Sequence, residues 1–388
     1  MGFGKRNHVK LDPLKYNICL LGESKIGKTT LIKQVCEKLT GSDDGYMFLE
    51  IGQEQGADAI EGINYVNCPS WEMDYDELTN SAGFIDVCED IIDNKVSEYP
   101  NLKVLVFDTY DQLITIAEKE SIEQWNNECR DSGKPEKKAK TINGAWGGFG
   151  RGEKKAIELM FDVIARLRNV GVSTIIIGHV KSKDVTDVVT GETYQTLTSD
   201  QQSNYFNALK KNLHFLGLAY YDRTIIKEKT GRQVIRGKKK VDEEISRVKE
   251  EVRKIKFRDD NYAVDSGSRF SDIVPEIELD VDQFIQALKD AILAEQKKSG
   301  NTLKQTQKEE EKIEKAENER IAKKEKERES NKELEEVKNN IVQWFTENKS
   351  DISVIKPVMA KCKELGYDNP KQIDSIEDAN TVYALTLQ

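Results

Sequence analysis

The chain has 388 residues, enough for one full α/β core with appendages, and no run approaches the ~20 apolar residues of a membrane span. Its apolar fraction of 37% is low and its charged fraction of 33% is high, with most of the excess charge beyond residue 295. A net charge of −10 excludes a uniformly basic surface but leaves room for a local basic groove.

Residues 1–15 are polar and basic and read as a loose arm without the apolar core of a signal peptide. Residues 16–21 (YNICLL) form an apolar strand bounded by Gly22, and residues 29–39 follow with helical spacing. Residues 46–51 (YMFLEI) read as a second strand and 62–68 as a short third. Residues 76–97 carry apolar side chains at helical intervals and end before Pro100. Residues 103–108 (KVLVFD) are almost entirely apolar before the terminal acid, which suits a central parallel strand covered on both faces.

Residues 131–150 make a polar, Gly-rich connector containing AWGGFG. Residues 153–168 form an amphipathic helix with Ile157, Met160, Phe161, Ile164 and Leu167 on one side, and residues 172–177 a buried strand ending at Gly178-His179. Such alternation predicts a mostly parallel α/β sheet, with the core occupying residues 16–294. Residues 212–235 switch to apparent hairpins with Thr230-Gly231 as one turn; residues 238–256 are strongly charged and 263–279 read as irregular β structure. A helix begins at residue 282. Residues 295–340 are a Glu- and Lys-rich tether, either a solvated single helix or unstructured, lacking a coiled coil's apolar heptad. Residues 341–388 regain apolar spacing (Trp344, Phe345, Val358, Tyr367, Tyr383) as a small helical module. The six cysteines show no CxxC pairing, so neither a disulfide framework nor a zinc site is expected, and a reduced, cytoplasmic protein is the economical reading.

GESKIGKT, residues 22–29, fits GxxxxGK[ST] at every fixed position. Gly22 and Gly27 let successive backbone N–H groups turn toward phosphate oxygens. Lys28 supplies a point charge to the β and γ phosphates, and Thr29 a hydroxyl to Mg²⁺. Gly22, Glu23, Ser24, Lys25, Ile26, Gly27, Lys28, Thr29 and Thr30 are therefore the expected ATP-binding set, and the following helix adds its positive end.

A phosphate loop needs a carboxylate on a neighbouring strand to hold the metal's water shell, and Asp108 has that context; the plain alternative is a strand-ending turn residue. Thr109 and Asp111 lie close by in sequence, with Asp111 equally suited to capping the next helix. A group must orient the attacking water: Glu54 in GQEQG is the first choice, Glu50 the competitor. His179 stands where a side chain projects from the carboxyl edge of the sheet, as a γ-phosphate sensor or as a hydrogen-bonded core histidine.

Together these elements resemble the RecA-like ATPases, and more closely the phage-encoded nucleotide-binding group related to recombinases and single-strand-annealing ATPases. The resemblance spans residues 15–279 and rests on GESKIGKT, EQG, NCPSW, VLVFDTYDQL, AWGGFG before a long helix, and STIIIGHVK. It implies ATP and Mg²⁺ at Lys28, Thr29 and Asp108, Glu54 as the water-activating base, and His179 at the sensor position. It also implies a DNA recombination or annealing role, in the host cytoplasm if phage-encoded, and a ring or filament in which Lys254, Lys256 or Arg269 completes a neighbour's site.

Single-stranded DNA is the implied partner. Residues 220–240, with Tyr220, Tyr221, Arg223, Lys227, Lys229, Arg232 and Arg236, offer a basic hairpin with aromatics at its base. Ordinary edge lysines would look the same. The acidic and polar residues 181–200 are a second, weaker DNA-facing segment. Other functions compatible with the pattern are a replicative helicase or helicase loader, and a non-hydrolysing scaffold whose C-terminal module recruits a replication protein.

Overall fold

The computed structural model describes residues 8–186, 191–236, 239–258, 267–349 and 352–387. Its strands are β1 (Ile18–Gly22), β2 (Tyr46–Ile51), β3 (Tyr65–Cys68), β4 (Val104–Asp108), β5 (Ser173–Thr186), β6 (Thr193–Ser199), β7 (Phe215–Arg236), β8 (Lys239–Lys256), β9 (Gly267–Ser268) and β10 (Glu276–Glu278). The helices are α1 (Lys28–Thr40), α2 (Phe84–Asp93), α3 (Tyr110–Asp131), α4 (Arg151–Asn169), α5 (Ser203–Asn212), α6 (Val281–Lys297), α7 (Leu303–Glu347), α8 (Ile352–Glu364) and α9 (Ile376–Thr386). The chain divides into two compact units, one of residues 1–92 and 99–313, the other of residues 93–98 and 314–388.

The larger unit is built on a sheet ordered β10-β8-β7-β1-β5-β4-β2-β3, with β6 beside β5 and β9 beside β7. The pairs from β7 through β1, β5, β4 and β2 to β3 are parallel, as expected for apolar strands joined by helices. One sheet face, including Ile18, Leu20, Val106, Ile175 and Ile177, packs with Leu31, Ile32 and Val35 of α1 and Phe284, Leu288 and Ile292 of α6. On β4, Phe107 stacks edge-on against Phe84 of α2 at 5.3 Å. Register decides where the chemistry falls. Gly22 aligns with His179, and Glu50 with Asp108, so the carboxyl ends of β1, β5, β4 and β2 share one edge.

Several boundaries differ from the sequence expectation. The predicted helix over residues 76–97 begins only at Phe84, because Asp76 folds a turn by accepting from Leu78 N at 3.0 Å and Thr79 Oγ1 at 2.9 Å. β5 does not stop at His179: it runs on to Thr186 and pairs antiparallel with β6, so residues 181–200 are largely a hairpin, with 187–190 outside the described residues. Thr230-Gly231 is not the reversal of the β7–β8 hairpin; β7 continues to Arg236, with a register shift between Lys229 and Gln233. The charged residues 239–256 are strand β8. Of the segment read as irregular β structure, residues 263–266 lie outside the described residues and the rest includes β9 and β10.

In the smaller unit, Leu334, Ile341, Val358, Cys362, Ile373, Ala379 and Val382 form a core with Trp344 and Phe345 against it. Glu325 anchors residues 96 and 97 by accepting from their amides at 2.6 and 2.8 Å. The Glu- and Lys-rich stretch is helical through α7. All six cysteines are buried free thiols. Among the described residues, no helix is long and apolar enough to cross a membrane.

Candidate nucleotide site

The phosphate loop bridges β1 and α1. Gly22 tolerates no larger residue without movement of β7: a Cβ there would stand 2.9 Å from the Ala219 carbonyl oxygen. Lys25 and Gly27 both adopt left-handed backbone, with φ of 62° and 105°, which curls the loop back over the helix start. α1 opens at Gly27 without a side-chain cap, leaving its positive end directed at the loop.

Lys28 is only 6% exposed, and its Nζ donates to the carbonyls of Gly22 at 3.1 Å and Glu23 at 2.9 Å. Burial pulls its pKa below the usual lysine value, against the attraction of Asp108, Asp111, Glu54 and Glu23. A cation held on backbone dipoles in a dry pocket is poised to accept an anion.

The acidic side faces it. Thr29 Oγ1 donates to Asp108 Oδ2 at 2.7 Å, so the two residues expected at the metal already touch. Asp108 is 5% exposed, and burial raises its carboxyl to about 6 despite the Thr29 hydrogen bond and nearby Lys28. Glu50, opposite Asp108 on β2, is 3% exposed, accepts from Ala57 N at 2.5 Å, and is likewise raised by burial to about 6. Glu54 is half-buried in the loop that follows, where its Oε1 accepts from Thr109 Oγ1 at 3.3 Å. The structure therefore brings both competing glutamates to the same edge, in different settings.

His179 closes the constellation. Its ring Nδ1 lies 2.8 Å from Asp111 Oδ2, and its amide donates to the same oxygen at 2.9 Å. That bond raises the imidazole's pKa, with burial and Lys28 opposing. Asp111 thus ties α3 to β5 and does not cap α3, whose first turn has no side-chain cap. Its other oxygen accepts from Gln201 Nε2. Nothing in the sequence marks Gln201 for this role.

Sequence reading also missed Arg253. From β8, its Nη1 donates to the Ile26 carbonyl inside the phosphate loop at 3.2 Å. Two further bonds join this loop to the hairpin's base: Glu23 N to Ala219 O at 3.3 Å, and Tyr221 N to Glu23 Oε1 at 3.1 Å. Adjacent Lys254 instead pairs with Asp222 at 2.7 Å and Glu276 at 2.9 Å, and Lys256 lies 4.0 Å from Glu276. Arg269 binds the carbonyls of Leu213 and Lys211. In the hairpin, the side chains of Lys227, Lys229, Arg232 and Arg236 lie outside the described residues, whereas Arg223 pairs with Glu251 at 2.6 Å.

The AWGGFG connector is more structured than a simple linker. Five successive residues, Trp146 to Gly150, have positive φ, including the non-glycines Trp146 at 58° and Phe149 at 56°. Trp146 is pinned by its Nε1 bond to Ser121 O at 3.0 Å, by Trp125 at 5.5 Å and by Lys155 over its ring. Phe149, by contrast, is 98% exposed. Residues 134–155 around it carry seven basic side chains against two acidic ones, in a chain of net charge −10.

The donor set fits a triphosphate with Mg²⁺. Lys28 and the uncapped end of α1 suit phosphate, while Thr29 and Asp108 converge as hard oxygen ligands. A family model described as an AAA domain matches residues 14–243, which contain every residue of this constellation except Arg253. No curated protein matches the chain.

Proposed function

The chain belongs to the AAA domain family, a family of P-loop ATPases, and we propose that it binds ATP with Mg²⁺, hydrolyses it, and couples the reaction to single-stranded DNA in recombination or annealing. The observation that carries the nucleotide reading is the 2.7 Å bond between Thr29 and Asp108, beside a buried Lys28.

Lys28 Nζ binds the β and γ phosphate oxygens in exchange for the carbonyls of Gly22 and Glu23, and the loop amides and α1 orient the chain of phosphates. Thr29 and Asp108 would hold Mg²⁺, which supplies neutralisation of developing phosphate charge. Glu54 orients the attacking water and takes its proton at a carboxylate oxygen. His179, fixed by Asp111, stands on the strand beside the phosphate loop and hands nucleotide state to the β5–β6 hairpin.

The DNA reading is supported by Phe149 and its basic surroundings: an aromatic held in solvent within a positive segment is a stacking platform beside a phosphate track. The RecA-like resemblance supports the recombination role and a homo-oligomer. The test is ATP turnover by the parent and Lys28→Ala, with and without single-stranded DNA. The expected result is DNA-stimulated turnover that the substitution abolishes. Turnover indifferent to DNA, with no DNA retention at low salt, would overturn the DNA reading.

A further inference from the structure

Glu50 stands out because its position is expensive. Its neighbours Leu49 and Ile51 are fully buried apolar residues, and its own carboxylate is buried directly opposite Asp108 on the next strand. Two acids side by side in a dry setting repel, and a buried carboxylate is costly unless a donor nearby satisfies it.

The loop of residues 52–57 supplies that donor. Glu50 Oε1 accepts from Ala57 N at 2.5 Å, closing the loop's far end back onto the strand that starts it. The near end is fixed separately: Gly52 turns at φ 71° and donates from its amide to Cys68 O at 2.9 Å. Between these two anchors sits Glu54, bonded to Thr109, the residue after Asp108. Gly56 passes close to the metal edge, since a Cβ there would stand 3.8 Å from Glu50 Oε1 and 3.9 Å from Thr29 Oγ1.

We infer that Glu50 is a positioning residue, whose buried carboxylate pins the Ala57 amide and thereby holds Glu54 at the reacting edge. This rests on the ATPase reading with Glu54 as the water-orienting base. A carboxylate accepting a backbone N–H makes a strong, short bond, and a glutamine carbonyl oxygen of the same reach also accepts it. Alanine cannot.

The test compares Glu50→Gln, Glu50→Ala and Glu54→Gln in the full chain, by steady-state ATP turnover and by amide hydrogen exchange over residues 52–58. Glu54→Gln should lower kcat by ~100-fold or more without changing exchange, as expected for loss of a general base. Glu50→Gln should keep kcat within about threefold of the parent. Glu50→Ala should lower kcat by ~10-fold or more at nearly unchanged KM, and speed exchange of the Ala57 segment by a similar factor. If Glu50→Gln were as inactive as Glu54→Gln with normal exchange, Glu50 would be the base itself and the inference would fail. Unchanged exchange in Glu50→Ala would overturn it equally. Should the parent hydrolyse no ATP, the catalytic reading fails alone, and the exchange data still decide whether Glu50 holds the loop.

Discussion

Replacing Asp108 by Asn should stabilise the nucleotide-free protein, and the gain should depend on pH. Burial raises this carboxyl from 3.8 to about 6. The folded state therefore holds the proton more tightly than the unfolded chain, and stability falls as pH rises between these values, with the full cost present above pH ~6. A displacement of about two pH units at ~1.4 kcal/mol each is ~3 kcal/mol at pH ~8, and about 1 kcal/mol at pH ~4.5, where the folded carboxyl is largely protonated. Asparagine keeps an acceptor for Thr29 Oγ1 but loses the attraction to Lys28, so the net gain at pH ~8 should be ~1–3 kcal/mol. Urea denaturation read by tryptophan fluorescence measures it, since Trp71, Trp125 and Trp146 all report on the larger unit. An equal gain at both pH values, or destabilisation at pH ~8, would show that burial does not make the Asp108 charge costly.

Arg253→Ala removes a charged donor from the Ile26 carbonyl and should weaken ATP binding by roughly 5- to 30-fold, consistent with loss of ~1–2 kcal/mol of loop ordering; isothermal titration of the variant checks this, and unaltered affinity would count against the contact. Phe149→Ala should cost ~1–3 kcal/mol in single-stranded DNA affinity while leaving thermal stability unchanged, because the ring buries nothing; fluorescence anisotropy with a labelled oligonucleotide at fixed salt measures it, and parent-like affinity would remove this residue from the DNA surface.

How much could be read in advance depended on the range of the interactions. β2 was legible residue for residue, and β4 within one, because short, mostly apolar stretches carrying a single acid suit a covered strand better than a helix of that length. The phosphate loop was legible because its residues are close in sequence. Meeting of Thr29 with Asp108 needs a register across 79 positions, which the resemblance implied and the sheet supplies through β5. What stayed hidden was non-local or polar. α5 is short and half-exposed, with only Tyr205, Phe206 and Leu209 buried, so its period was too brief to register. The extension of β5 past His179 is polar and stabilised by β6, not by burial against the core. Arg253 reaches Ile26 across 227 residues and looks, in sequence, like one cation among several. Asp111 was legible as a polar residue near a helix start, yet its partner His179 lies on β5, 68 positions away.

On the reading proposed, Lys28 and the curled main chain around it grip a triphosphate. Equilibrium binding of labelled ATP with magnesium, parent against Lys28→Ala, tests it most directly. Loss of one buried, charge-assisted contact predicts affinity lower by ~10- to 100-fold in a variant that still folds. Equal affinity in the two proteins, or none in the parent, would contradict the account.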